Sequence, residues 1–117
     1  QLMGLGGLAT AGVKKPKNLT IAVLDNGHYG ETGMQQTHTS LGVSLGAVAT
    51  ACNFDKVDVI RDMGGVSDLR ALIRKTDYGL RFARIVIMAE KLDLVLPPND
   101  GVFLKNRFRA ALGFTAT

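Results

Sequence analysis

The sequence predicts an α/β domain built on a doubly wound parallel sheet. Stretches typical of β-strands alternate with helical patterns, which indicates βαβ units. Residues 19–24 (LTIAVL) form a continuous β-rich run, as expected of a parallel strand covered on both faces. The length of 117 residues is that of one domain. Because a doubly wound sheet normally opens with a strand and this chain opens with a helix, we expect the first strand to be missing.

The first element is a predicted helix over residues 2–13. Leu5, Leu8 and Gly12 recur at helical spacing within a run of small residues. The glycines of this run would weaken a solvated helix, but they suit a helix that packs closely against a neighbour. Lysines follow where a helix end favours cations, and Pro16 ends the helix.

The predicted strand over residues 19–24 leads into a long polar segment. It ends at Asp25, Asn26 and Gly27, which together are a strong turn signal. The polar segment runs to about residue 40 and contains both histidines. Loops of this length in compact domains are usually functional or disordered. Residues 43–52 then predict a small apolar helix, and residues 57–60 predict a short strand.

The second half of the chain continues the alternation. Ser67 and Asp68 predict the start of a helix, because Ser67 can cap it and Asp68 complements its dipole. Leu69, Leu72 and Ile73 form its apolar face. The remaining predicted elements are a buried strand (residues 82–89), a loop with two prolines (residues 93–101) and a terminal helix (residues 102–112).

Composition and charge exclude several classes of protein. The 14 basic and 10 acidic side chains give a net charge of +4, which fits anionic partners. The basic residues are scattered and aromatic residues make up only 6%, so we do not expect nucleic-acid binding. The single cysteine, Cys52, excludes an internal disulfide framework. No apolar run approaches the roughly 20 residues of a membrane helix, and we predict a cytoplasmic protein without membrane contact.

The segment after the first predicted strand is the best candidate for a functional site. In open α/β sheets, ligands bind beyond the carboxyl ends of the strands. Asn26 offers a hard amide oxygen of the kind that Mg²⁺ prefers. Gly27, Gly30 and Gly33 would let the backbone approach a phosphate closely. A plain turn stabilised by Asn and Asp side chains remains the alternative interpretation.

Residues 17–30 (KNLTIAVLDNGHYG) resemble the second half of the signature of thiamine-diphosphate-dependent enzymes. That signature begins with Gly-Asp-Gly, runs through a helix and a strand, and ends in Asn-Asn or Asp-Asn. Residues 2–10 (LMGLGGLAT) are similar to the part that directly follows Gly-Asp-Gly. Residues 30–35 (GETGMQ) and 104–108 (LKNRF) resemble the sulfopyruvate and phosphonopyruvate decarboxylase branch.

The resemblance implies that residues 1–117 form a diphosphate-binding (PP) domain, incomplete at its N-terminus, with the three-layer fold of that family. It implies thiamine diphosphate and Mg²⁺ as cofactors, with the Asn26 side chain and the His28 backbone carbonyl as metal ligands. The remaining residues that it implies for cofactor binding are Asp25, Tyr29, Gly30 and Glu31. The third protein ligand of the metal would be the Asp of Gly-Asp-Gly, which we expect a few residues before Gln1.

The resemblance also implies a partner. In such enzymes a Glu on a separate pyrimidine-binding domain drives the cofactor to its ylid, and no such domain fits within 117 residues. We therefore expect a pyrimidine-binding domain or subunit beside this chain, in a dimer or hetero-oligomer.

Three residues are candidates for catalysis. Glu31 and Thr32 fall near the thiazolium-facing end of the loop in the family pattern, and His38 could bind an anionic headgroup or donate a proton. The simpler interpretations are an exposed carboxylate for Glu31 and a solvated loop histidine for His38. Tyr29 could equally pack at the base of the loop.

The resemblance favours a decarboxylase of a 2-oxo acid such as sulfopyruvate or phosphonopyruvate. An acetolactate-synthase-like carboligase remains open within the same class. A non-catalytic or degenerate domain that assembles without cofactor, and a nucleotide-binding or flavodoxin-like module, are the alternatives from other classes.

Overall fold

A computed structural model describes residues 2–75, 77–91, 93 and 95–115. Its main feature is a three-stranded parallel sheet formed by β1 (Asn18–Asp25), β4 (Lys56–Ile60) and β5 (Gly79–Val86). The strand order is β1-β5-β4, so β5, the last strand within the described ranges, lies at the centre of the sheet. The predicted α/β architecture with a parallel sheet is thus confirmed.

The described ranges contain the helices α1 (Leu5–Lys14), α2 (Leu45–Ala51), α3 (Met63–Ile73) and α4 (Gly101–Ala111). The first three lie against the two faces of this sheet. The helices α1 and α2 bury Leu8 and Leu45 against one face. Helix α3 brings Gly65 against Ile60 on the other face. Across the described ranges, no helix combines the length and apolar character required to cross a membrane.

The core lies between the sheet and the first two helices. Phe82 and Leu80 of β5 are fully buried there together with Leu8. Phe54 packs edge-on against Phe82, with the ring centroids 6.0 Å apart and an angle of 88° between the ring planes. Edge-to-face geometry is favoured by the aromatic quadrupole. Strand β5 therefore pairs with both other strands of the sheet and supplies the core residues that α1 and α2 cover.

Helix α3 begins earlier in the chain than the sequence predicts, in a glycine-rich segment. The prediction that this helix opens at Ser67 and Asp68 is wrong, because it begins at Met63. The Asp62 side chain caps the helix by accepting the Gly65 N–H at 2.8 Å. A Cβ at Gly65 would press on Ile60, so the glycine permits the close approach of α3 to the sheet.

Strand β5 begins three residues before the predicted residue 82 and ends at Val86, not at residue 89. Its start follows from pairing along the whole length of β1, in which Asn18 lies opposite Gly79. Gly79 has a φ of 83°, and a Cβ there would crowd Asp55. The other helix and strand boundaries lie within a few residues of the predicted ones, and α1 is preceded by a 3₁₀ turn, Leu2–Gly4.

Asp55 links three segments of the fold. Its carboxylate lies 2.8 Å from Lys15 Nζ and accepts the Leu80 N–H at 2.9 Å. The hydrogen bond from Lys15, assisted by the Leu80 N–H, holds the pKa of Asp55 below its usual range. When a carboxyl group has a lower pKa in the folded state than in the unfolded state, its charge stabilises the folded protein at pH values above the unfolded-state pKa. This stabilisation is lost as the pH falls through the folded-state pKa.

We therefore expect Asp55→Asn to lower the urea midpoint of unfolding at neutral pH. The difference from the parent chain should shrink as the pH falls through the folded-state pKa of Asp55, because the carboxyl group is then protonated in both states. Asp68→Asn, the same change at an exposed position of α3, is the matched control. A difference between Asp55→Asn and the parent that stays constant across this pH range would contradict the role of the carboxylate charge.

Candidate functional site

Two consecutive side-chain turns follow β1. The Asp25 carboxylate accepts the Gly27 N–H at 2.9 Å, and the Asn26 amide oxygen accepts the His28 N–H at 2.9 Å. Such turns are typical of Asp and Asn, whose short side chains reach the backbone two residues on. Gly27 has a φ of 68°, and a Cβ there would overlap the Ser40 hydroxyl. The backbone at the carboxyl end of β1 is thereby held in one conformation.

The long polar segment contains a small hairpin, which the sequence did not predict. Strand β2 (His28–Tyr29) pairs antiparallel with β3 (Gln35–Gln36), and the residues Gly30–Thr32 between them form a 3₁₀ turn. Hydrogen bonds from Met34 N–H to Tyr29 O and from Thr37 N–H to Gly27 O, each 2.9 Å, close it. The hairpin fixes where the loop residues lie relative to β1.

The hairpin register leaves the His28 carbonyl oxygen available. Hydrogen-bonded and non-hydrogen-bonded residue pairs alternate along an antiparallel ladder. Because Thr37 donates to Gly27, the next pair, His28 with Gln36, is of the non-hydrogen-bonded kind and its carbonyls point away from the partner strand. The half-buried Asn26 contributes a second hard oxygen two residues away. Within the described residues, no group of three or more His, Cys, Asp or Glu could hold a metal ion.

A cavity of about 600 Å³ opens beside this turn. Asn26, Gly30 and Glu31 line it together with Glu90, Lys91 and Asp93, which follow β5. These residues after β5 are not among the predicted site residues. The signal that could have found them is their position beyond the carboxyl end of a parallel strand adjacent to β1.

A second cavity, of about 210 Å³, is also lined by Asn26. Asp25, His28 and Tyr29 line it together with Thr39. The structure thus brings six predicted site residues to two cavities that share Asn26. They are Asp25, Asn26, His28, Tyr29, Gly30 and Glu31.

Thr32 and His38 line neither cavity. The Thr32 hydroxyl donates to the Gln35 side chain at 3.2 Å. The exposed His38 uses its backbone carbonyl to accept the N–H groups of Leu41 and Val43. Their predicted catalytic roles stay predictions.

The Asp25 carboxylate faces the interior and is only 7% exposed as a residue. Its second oxygen lies 2.6 Å from the Nε of Arg84, and its first accepts the Thr39 hydroxyl at 2.8 Å. Burial alone would raise the pKa of Asp25, but the Gly27 N–H, the Thr39 hydroxyl and the Arg84 guanidinium together hold that pKa below its usual value. Asp25 therefore stays ionised in its buried position.

Arg84 and Thr39 were not predicted as site residues. They lie 59 and 14 residues from Asp25 in the chain, so no local pattern connects them to it. A weak signal existed in the strand over residues 82–89, because an arginine in an otherwise apolar buried strand needs a buried acidic partner.

The chain is similar to curated decarboxylases. It is 31% identical over 112 residues to the sulfopyruvate decarboxylase subunit beta of Methanocaldococcus jannaschii, across 95% of this chain and 58% of that protein. It is 40% identical over 110 residues to the phosphonopyruvate decarboxylase of Streptomyces viridochromogenes, across 93% of this chain and 27% of that protein. A sulfopyruvate decarboxylase subunit beta from Methanothermobacter thermautotrophicus is 44% identical over 62 residues, across 53% of this chain and 33% of that protein.

No family model matches the chain, and no solved structure matches it. The chain spans 58% and 27% of the lengths of the first two relatives. Across at least 93% of its own length, this α/β chain is similar to proteins named sulfopyruvate decarboxylase subunit beta and phosphonopyruvate decarboxylase.

Proposed function

We propose that this chain is the diphosphate-binding domain of a 2-oxo acid decarboxylase that uses thiamine diphosphate and Mg²⁺. The observation that carries the proposal is the turn at residues 25–28. It places Asn26, at the carboxyl end of a parallel strand, on the lining of both cavities, and His28, whose carbonyl is turned away from its partner strand, on the lining of the cavity of about 210 Å³. The similarity to sulfopyruvate and phosphonopyruvate decarboxylases supports an acid of that kind as the substrate.

The donor set fits the proposed metal. Mg²⁺ takes oxygen ligands in octahedral geometry and commonly shares them with water and phosphate. The Asn26 amide oxygen accepts one hydrogen bond, from His28, and keeps a lone pair for a cation. The His28 carbonyl points away from its partner strand. These two oxygens would hold Mg²⁺ next to the diphosphate.

The chain's other loop residues would orient and enclose the ligands. Gly30 would let the backbone close over the diphosphate, and Glu31 would face the substrate from the cavity wall. Thr32 would also face the substrate. His38 would bind an anionic headgroup of the substrate or donate a proton. When bound, thiamine diphosphate supplies the electron sink for the pair left behind by departing carbon dioxide.

We further propose that the active enzyme contains a pyrimidine-binding domain or subunit beside this chain. Relatives that carry the name "subunit beta" support a multi-subunit enzyme. The exposed Glu31 is consistent with a site that a second domain completes.

Isothermal titration calorimetry tests the cofactor site. Thiamine diphosphate should bind the chain only with Mg²⁺, and Asn26→Ala should weaken that binding by about 10- to 100-fold or more, as the loss of a metal ligand does. Inorganic pyrophosphate with Mg²⁺, as a second probe, isolates the diphosphate part of the site. Asn18→Ala, the same substitution at the opposite end of β1, is the matched control and should leave the affinity unchanged.

Two outcomes would reject the proposed site. One is the absence of any Mg²⁺-dependent heat with both probes. The other is an equal affinity for Asn26→Ala and Asn18→Ala. Binding of free nucleotide without Mg²⁺ would instead favour a nucleotide-binding module.

A further inference from the structure

Arg84 reaches across the sheet to the end of β1. In the parallel register of β1 and β5, Asp25 lies opposite Val86, and Arg84 is two residues earlier on the same face. Its Nε lies 2.6 Å from Asp25 Oδ2, with side-chain exposures of 22% and 6%. Charge-assisted hydrogen bonds of this length between partly buried groups are strong. Arg84 therefore ties the central strand to the residue from which the Asn26 turn starts.

The hydrogen bonds of Asp25 all point into the protein. Oδ1 accepts the Gly27 N–H and the Thr39 hydroxyl, and Oδ2 accepts from Arg84. Its backbone carbonyl accepts the Ile87 N–H at 3.1 Å. Both side-chain oxygens of Asp25 are thus engaged in hydrogen bonds that fix the backbone of the turn.

We propose that Arg84 is a positioning residue, which acts through Asp25 to fix where the Asn26 and His28 oxygens lie. Thr39 supports the same carboxylate from the polar loop, where its hydroxyl lies 2.7 Å from that of Thr37. This inference rests on the proposed function, because it assigns Arg84 to the site formed by those two oxygens. Asp25 acts on that site by accepting the Gly27 N–H, which fixes the backbone between the two oxygens.

The same strand offers a matched comparison. Arg81 also forms an ion pair across the sheet, with its guanidinium 3.0 Å from Asp58 and side-chain exposures of 15% and 30%. It lies three residues from Arg84 and therefore on the opposite face, away from the Asn26 turn. Removing either arginine breaks a partly buried ion pair between β5 and a neighbouring strand. Only the loss of Arg84 should disturb the turn.

Two readouts test the proposal on the ¹⁵N-labelled chain. In the ligand-free protein, the backbone amide resonances of Gly27 and His28 should move in Arg84→Gln and stay in place in Arg81→Gln. In calorimetry with thiamine diphosphate and Mg²⁺, Arg84→Gln should lose about tenfold in affinity, as outer-shell partners of a metal ligand do, and Arg81→Gln less than about twofold. Arg84→Lys, which keeps the charge, should recover part of the affinity.

Thr39→Val keeps the ion pair and removes one hydrogen bond to Asp25, so it remains informative if Arg84→Gln does not fold. It should move the same two resonances. Gly27 and His28 resonances that stay in place in Thr39→Val and in a folded Arg84→Gln would overturn the proposal, as would equal affinities for Arg84→Gln and Arg81→Gln. If the parent chain binds no cofactor, the proposed function fails, but the resonances of the ligand-free protein still decide whether Arg84 positions the turn.

Discussion

Replacing Phe82 by alanine should lower the free energy of unfolding by about 3–5 kcal/mol. Phe82 is fully buried in the central strand and packs edge-on against Phe54. Truncation would remove the ring's burial and leave a cavity that the two flanking strands cannot close. Because a small domain is stable by only about 5–15 kcal/mol, this loss would consume a large share of the total. Urea denaturation followed by circular dichroism measures it.

Phe108→Ala is the matched control for this substitution. Phe108 lies on α4 and is 67% exposed, so the same chemical change there should alter the free energy of unfolding by no more than about 0.5 kcal/mol. Equal losses in the two variants would contradict the placement of the core between β5 and the first two helices. A loss at Phe82 alone would support it.

Gly12→Ala should have the second large effect, a loss of stability of about 1–3 kcal/mol. A Cβ at Gly12 would collide with the backbone carbonyl of Cys52, which follows α2. A backbone group cannot turn aside as the tip of a flexible side chain can, so α1 would have to move away from α2. Because Leu8 lies one turn away and is fully buried, that movement would also disturb the core.

Gly7→Ala is the control in the same helix, and its effect should have the opposite sign. A Cβ at Gly7 would meet nothing within 4 Å among the described residues. Alanine is the better helix former by about 0.8–1.0 kcal/mol, so Gly7→Ala should raise the thermal midpoint. A stabilising Gly12→Ala would show that the close packing of α1 on α2 does not exist.

The sequence determined the parts of this protein that depend on local physics. The β-rich run over residues 19–24 predicted β1, because its residue types favour an extended strand covered on both faces. Asp25, Asn26 and Gly27 predicted the turn, because short polar side chains and a glycine suit its backbone conformation. The turn lies where predicted, and its two side-chain hydrogen bonds join residues only two apart.

Local capping and charge signals placed the start of α3 incorrectly. Ser67 and Asp68 predicted that start, yet α3 begins at Met63 and runs through Gly64 and Gly65. The cap from Asp62 and the close contact of Gly65 with Ile60 offset their low helix propensity. Tertiary packing therefore decided the start of that helix.

Only the tertiary structure decided which distant residues meet at the turn. The sheet order places β5 beside β1, and the parallel register then brings Arg84 to Asp25 across 59 positions of the chain. The same adjacency brings Glu90 and Lys91 to the cavity beside Asn26. Strand order arises from the burial of whole strand and helix faces, which no local pattern encodes. The local sequence therefore determines the turn, whereas the strand order of the fold determines which distant residues lie beside it.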